Sequence, residues 1–150
     1  MSTGDAMQGD DLTNAVVTLE VDDGAWPVVV VHPAPARASG AETGRLLRRL
    51  DGVVEREQAF GLVLDLAAAG RGAGVLVETA LAERASPMAA RCVGAATVVA
   101  PESGATRRLA QHPVLFPFPS VSKPSVDEAV AWVADRLARA ARRDLRVRRD

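Results

Sequence analysis

One short apolar run constrains the fold of this chain more than any other feature. Residues 60–67 read FGLVLDLA and contain a single charged side chain, Asp65; the glycine-rich stretch 67–74 (AAAGRGAG) follows. A short apolar run of this kind is typical of a central parallel strand that is covered on both faces. The run therefore predicts an α/β fold in which helices pack against a parallel sheet.

The flanking patterns supply elements that alternate between strand and helix. Strands are predicted at 15–21, 26–32, 60–67, 91–100 and 119–123; the first two form an antiparallel hairpin around the turn DDGA at 22–25. Helices are predicted at about 40–57, at about 74–86, from Ser103, and from Ser125, which forms a capping box with Glu128. The order β-β-α-β-α-β-α-β-α predicts a mixed, mostly parallel sheet of about five strands with about four helices.

The two ends of the chain differ in charge. Residues 1–24 contain six acidic side chains and neither lysine nor arginine, and 136–150 contain seven arginines against two aspartates. We expect 1–13 to be a mobile acidic tail, 14–143 to form one domain, and 144–150 to be a basic tail at a helix end. A nucleic-acid or membrane role is the alternative for that tail, but it lacks interleaved aromatic residues.

Cysteine content and hydropathy favour a cytoplasmic protein. Cys92 is the single cysteine, so an internal disulfide and a cysteine-based structural zinc site are excluded. The N-terminus lacks the basic and apolar pattern of a signal peptide, and no apolar run approaches the ~20 residues that span a bilayer. We expect no cofactor, no metal and no membrane span.

Element order, chain length and the position of the loop after the third strand resemble the SpoIIAA-like fold, which is shared by anti-sigma-factor antagonists and the broader STAS group. The chain is also similar to uncharacterised bacterial STAS/SEC14-like proteins in its WPVVVV strand, in FGLVLDL, and in a final VDEAVAWV helix preceded by a Pro/aromatic loop. The likeness covers about residues 14–138. It implies a bacterial STAS-like domain.

The loop after the third strand departs from the pattern of the phosphorylation-switched antagonists. Their loop reads Asp-Ser-Ser-Gly-Leu-Gly, and here it corresponds to 69–74, where Ala69, Gly70 and Arg71 replace the aspartate and both serines. A phosphoryl group needs a hydroxyl to carry it, so this loop cannot be switched in that way. The resemblance still implies a docking surface or a small ligand pocket around this loop and the following helix.

Two candidate sites lie at the end of the third strand. The glycine-rich run, with Gly70, Arg71, Gly72 and Gly74, follows a strand and opens a helix, where backbone N–H groups either cradle an anion or simply permit a tight turn. Asp65 is costly inside an apolar strand unless it is paired or lies near the strand's carboxyl end. It therefore either caps the loop amides or contacts a ligand.

The Pro/aromatic segment 112–122 contains Phe116 and Phe118 and is the most apolar irregular stretch. It either fills the core as a plug or presents an apolar patch to a partner or lipid. Paired catalytic carboxylates, metal-spaced ligands and a nucleophilic triad are missing from the sequence. We therefore predict a non-catalytic interaction module with a protein partner; the alternative is a carrier or sensor of a small apolar or lipid-like ligand. A pocket in which Asp65 and a histidine converge would favour an enzyme instead.

Overall fold

The computed structural model describes residues 18–34, 42–67, 69, 71–100, 102, 104 and 118–149. Within them the chain forms five strands and four helices: β1 (Thr18–Ala25), β2 (Val28–Ala34), α1 (Glu42–Val54), β3 (Phe60–Asp65), α2 (Arg71–Glu83), α3 (Ala85–Ala89), β4 (Cys92–Val98), β5 (Ser120–Lys123) and α4 (Val126–Arg149). The strands form one sheet in the order β1-β2-β3-β4-β5, in which β1 is antiparallel to β2 and the other pairs are parallel. This confirms the predicted α/β class and the mixed, mostly parallel five-stranded sheet. The helix predicted from Ser103 lies outside the described residues apart from Gly104, which is helical.

The sheet is covered on both faces, as the apolar run of β3 predicts. Alternate residues of β3 point to opposite faces: Leu62 and Leu64 pack with α1 and α2, whereas Val63 packs with α4. Phe60, at the start of β3, is fully buried on the α1 and α2 side. The core therefore consists of two layers separated by the sheet.

Glycine is required where α4 crosses the sheet. A Cβ atom added to Gly61 in β3 would overlap the Cγ1 atom of Val133, and one added to Gly94 in β4 would lie 2.9 Å from the ring of Trp132. Real Cβ atoms do not approach other heavy atoms so closely. The missing side chains allow α4 to lie directly on the backbone of β3 and β4.

The hairpin turn lies later in the chain than predicted. Residues 22–25 remain in β1, and the turn is formed by Trp26 and Pro27. The Asp22 carboxylate accepts a hydrogen bond of 2.9 Å from the Gly24 N–H, and the β1–β2 register shifts between Asp22 and Ala25. The sequence DDGA therefore produces an irregularity within the strand rather than the chain reversal, because its side-chain hydrogen bond satisfies the backbone locally.

The second helix also differs from its predicted bounds. It begins at Arg71, three residues before the predicted start, so the glycine-rich run forms the first turn of α2. The helix ends at Glu83, and a separate short helix, α3, follows Arg84. The Arg84 guanidinium donates to the Asp51 carboxylate of α1 at 2.6 Å, which ties this break to the neighbouring helix.

The N-terminal cap predicted at Ser125 for the last helix is confirmed, but Glu128 contacts the Ser125 hydroxyl rather than the Ser125 N–H of a full capping box. The Glu128 N–H donates to the Ser125 hydroxyl oxygen at 3.2 Å, and that hydroxyl donates to the Glu128 carboxylate at 3.4 Å. The predicted apolar face packs on the sheet, with Val133 fully buried. Beyond Leu137 the same helix runs on to Arg149, so the predicted basic tail 144–150 is helical through 149.

Candidate functional site

The carboxyl edge of the parallel strands is the place where ligands bind in open α/β sheets. In this chain β2, β3, β4 and β5 end there at Ala34, Asp65, Val98 and Lys123. Helices α2 and α4 begin just after this edge, because each follows a parallel strand.

Polar side chains form a row across the sheet close to this edge. Asp65 pairs with Val98, and Val98 pairs with Lys123, so Asp65 and Lys123 flank Val98 at a separation of about 10 Å, two strand spacings. His32 follows Val31, the partner of Leu64, so its backbone lies beside that of Asp65. On the other side, Glu20 pairs with His32. We call Glu20, His32, Asp65 and Lys123 the polar row.

All four members of the polar row lie on the sheet face that carries α4. Two residues before Asp65 is Val63, two before His32 is Val30, and two before Lys123 is Val121; each of these valines packs in the cluster with α4. Residues two apart in a strand share a face. His32, Asp65 and Lys123 are half-buried and Glu20 is exposed. Lys123 was not predicted as a site residue, because only the register of β3, β4 and β5 places it near Asp65.

Members of the polar row are not joined to one another by any described hydrogen bond. The His32 Nδ1 atom lies 3.1 Å from the carbonyl oxygen of the adjacent Pro33. Among the described residues the Asp65 carboxylate has no hydrogen-bond partner, and in the loop the Ala69 N–H donates to the Leu66 carbonyl oxygen at 3.1 Å. Asp65 and a histidine therefore share a face on neighbouring strands, but no described hydrogen bond orients the imidazole towards the carboxylate, as a general base would require.

Helix α2, whose first turn contains the last part of the glycine-rich run, lies on the opposite face of the sheet from the polar row. Helix α2 packs on the face that also carries α1, and Gly72 and Gly74 lie in its first turn, where Gly74 is buried. Gly70 and the side chain of Arg71 lie outside the described residues. Asp65 and α2 thus lie on opposite faces of the sheet, and those predicted site residues that the structure describes do not converge on one pocket.

Phe118 is also far from Asp65. It is 8 % exposed and belongs to the core on the α1 and α2 side. It precedes β5, whose first residue pairs with Ala95, so it lies towards the amino end of the parallel strands. Its burial favours the core-plug interpretation for this residue. Phe116 lies outside the described residues.

Part of the outer face of α2 is uncharged. Val75, Thr79 and Ala82 are exposed at spacings i, i+4 and i+7, which place them along one side of the helix. Val75 is 42 % exposed; in the part of the chain that the structure describes, the other exposed large apolar side chains are Leu145 and Val147. This outer face, which we call the α2 face, begins in the turn after the glycine-rich segment.

An apolar cavity lies beneath α1 and α2. Its lining is entirely apolar and includes Leu46, Leu50, Leu62, Val77 and Leu81. Its volume of ≈ 10 Å³ is comparable to the space for one water molecule. Pockets for drug-sized ligands measure about 300 Å³ or more, so this cavity does not hold a lipid-like molecule.

Cys92 is a buried core residue at the start of β4. Its thiol donates to the Gly94 carbonyl oxygen at 3.3 Å, and desolvation raises the pKa of the thiol to about 12. The thiolate is the nucleophilic form, so Cys92 is unreactive at neutral pH.

We expect a disulfide reagent at pH 8 to modify Cys92 of the native protein at least about a hundredfold more slowly than Cys92 of the urea-unfolded chain, whose thiol has an ordinary pKa. Equal rates would show that Cys92 is accessible.

Within the described part of the chain, no group of three or more His, Cys, Asp or Glu side chains is placed to hold a metal ion. No helix in that part combines the length and the apolar character needed to cross a bilayer. Comparisons with protein-family models, with curated proteins and with solved structures give no match to this chain.

Proposed function

We propose that this chain is a non-catalytic, STAS-like protein-interaction module whose partner docks on the α2 face. The observation that carries the proposal is the exposure of Val75 beside Thr79 and Ala82. A short uncharged stripe on a helix accepts apolar side chains from a partner without burying a charge. The polar row supports the hypothesis of a non-catalytic protein, because no described hydrogen bond joins the imidazole of His32 to the carboxylate of Asp65.

Charge around the stripe indicates the character of the partner. Glu78 and Glu83 are the charged side chains of α2 between Val75 and its C-terminus, and both are acidic. A partner that places an apolar side chain on Val75 is therefore expected to surround it with basic residues, because like charges at an interface rim are repelled.

Site-specific photo-cross-linking tests this proposal. A photoreactive phenylalanine analogue at position 75 is expected to capture a defined partner from the native cytoplasm, whereas the same analogue at Gly52 is not. Gly52 is a matched control because it is an exposed helical position of α1 whose added Cβ meets nothing within 4 Å.

The captured partner is then purified, and its affinity for variants of this chain is measured by titration. Val75→Asp is expected to weaken binding at least about tenfold, since it buries a charge at the centre of the contact, and Gly52→Asp to leave it within about twofold. Equal capture from both positions, or unchanged affinity of Val75→Asp, contradicts docking on the α2 face.

The alternative is a carrier of a small apolar ligand; within the described residues, the cavity beneath α1 and α2 is far too small to be its pocket. Native mass spectrometry of gently purified protein separates the two functions. An interaction module gives the mass of the bare chain, whereas a carrier gives an added, uniform ligand mass.

A further inference from the structure

No element among the described residues covers one half of a sheet face. Helix α4 lies over β3 and β4 and reaches β2 and β5, and on the same face the side chains of Glu20 and Asp22 on β1 are exposed. The half-buried side chain of Val30, on β2, lies between β1 and α4. We call the part of this face formed by β1 and β2 the open face. Its charged side chains, together with Asp65 at its margin, are mainly acidic.

The C-terminal half of α4 is the chemical complement of the open face. The helix is continuous to Arg149, so residues 138–149 extend about 18 Å beyond Leu137. This segment contains six arginines and one aspartate. It also exposes two large apolar side chains, Leu145 at 56 % and Val147 at 73 %. We call residues 138–149 the basic extension.

Leu145 lies on the side of α4 that borders the open face. The opposite side is marked by Trp132, packed at Gly94, and by Arg136, whose guanidinium donates to the Val93 carbonyl oxygen at 3.4 Å; both contacts are on β4. Residues two positions apart are separated by about 200° around a helix. Ala134 and Ala138 therefore point away from those β4 contacts, towards β2 and β1, and Leu145 continues their line at i+11 and i+7.

The chain's own basic extension cannot fold back on its own open face, because it continues the helix that already lies over β3 and β4. A second copy can supply it. Related by a two-fold axis, two α4 helices run antiparallel, and each copy gives one basic extension and receives one. The first half of α4 contains Asp127, Glu128 and Asp135, so the antiparallel arrangement also sets its acidic half against the partner's basic half.

We propose that this chain forms a two-fold dimer in which the basic extension of each copy packs on the acidic open face of the other, beside its α4 helix. Leu145 is placed against the apolar strip at Val30, and Arg142 and Arg146 lie near the acidic side chains. This dimer is independent of docking on the α2 face, which lies on the other side of the sheet.

Sedimentation of the full chain tests the dimer. We expect a monomer–dimer equilibrium between about 1 and about 200 µM, weakened at least about tenfold when salt rises from about 50 to about 500 mM, since the contact depends on charge. Leu145→Asp is expected to weaken the dimer at least about tenfold. Circular dichroism checks that each variant is folded.

Charge reversal provides the sharper test. Arg142→Glu/Arg146→Glu and Glu20→Lys/Asp127→Lys are each expected to be monomeric, because each homodimer would oppose like charges. Mixed in equal amounts they are expected to form a one-to-one heterodimer, in which both contacts join opposite charges. Arg48→Glu/Arg91→Glu changes the net charge as the first variant does, at exposed positions on other surfaces, and is expected to dimerise as the unmodified chain does.

Four results overturn the proposal. They are a chain that stays monomeric at about 200 µM, a dimer that Leu145→Asp leaves unchanged, charge-reversed variants that fail to associate when mixed, and a dimer lost on removal of residues 1–13. The last result would show that the basic extension binds the acidic segment 1–13 and not the open face. A monomer that binds anionic vesicles through the basic extension would likewise replace the dimer with an electrostatic contact to lipid.

Discussion

Gly61→Ala is expected to lower the free energy of unfolding by about 2–4 kcal/mol, because a Cβ at this position overlaps the Cγ1 atom of Val133. Val133 is fully buried and α4 lies directly on β3, so neither side has room to move. The new methyl group is expected to lift α4 from the sheet and open the core on that face. Urea denaturation followed by circular dichroism measures the loss.

A double-mutant cycle separates this overlap from a general intolerance of β3. Val133→Ala removes the atom that Gly61→Ala would strike, so the double variant is expected to be about 1–3 kcal/mol more stable than the sum of the single effects predicts. Gly52→Ala is the matched control. It lies in a helix with open space around it and is expected to raise stability by up to about 1 kcal/mol. Additive effects in the cycle would show that Gly61 is needed for another reason.

Leu62→Ala is expected to lower the free energy of unfolding by about 3–5 kcal/mol. Leu62 is fully buried at the centre of β3 and lines the apolar cavity beneath α1 and α2. Its truncation removes apolar burial and enlarges a cavity that already exists, so the surrounding side chains cannot close the space easily. Equilibrium unfolding in urea checks the value, and an unchanged m-value shows that the loss is in the native state.

Leu145→Ala is the control for Leu62→Ala because it removes the same atoms from an exposed position of α4. It is expected to change the stability of the monomer by no more than about 0.5 kcal/mol when measured at micromolar concentration. Similar losses in the two variants would mean that Leu145 is packed in the monomer, which contradicts the exposed basic extension.

Two elements follow directly from local sequence. The apolar run at 60–67 identifies β3 as a strand buried on both faces, because a strand with two covered faces has few positions for polar side chains. The start of α4 follows from Ser125 and Glu128, whose hydrogen bonds join residues three apart. Both signals come from residues close together in the chain, so β3 and the start of α4 can be predicted without knowledge of the rest of the fold.

Other predictions failed where distant parts of the chain decide the structure. The signal DDGA matches a turn, but the pairing of β1 with β2 keeps these residues in the strand and reverses the chain at Trp26 and Pro27. The glycine-rich segment matches a loop, but α2 extends back to Arg71, and Gly74 in its first turn is buried by the rest of the fold. Local preference is worth a few tenths of a kcal/mol per residue and yields to such packing.

The sequence by itself determined the α/β class, the buried strand β3, the capped final helix and the opposite charges of the two ends. Only the tertiary structure decided that Asp65 lies in a row with His32 and Lys123, that Phe118 packs near the other end of the strands, and that Val133 lies on Gly61. The physical reason is range. Apolar periodicity and caps act between residues a few positions apart, whereas strand register and helix crossing depend on contacts between residues that are distant in the chain.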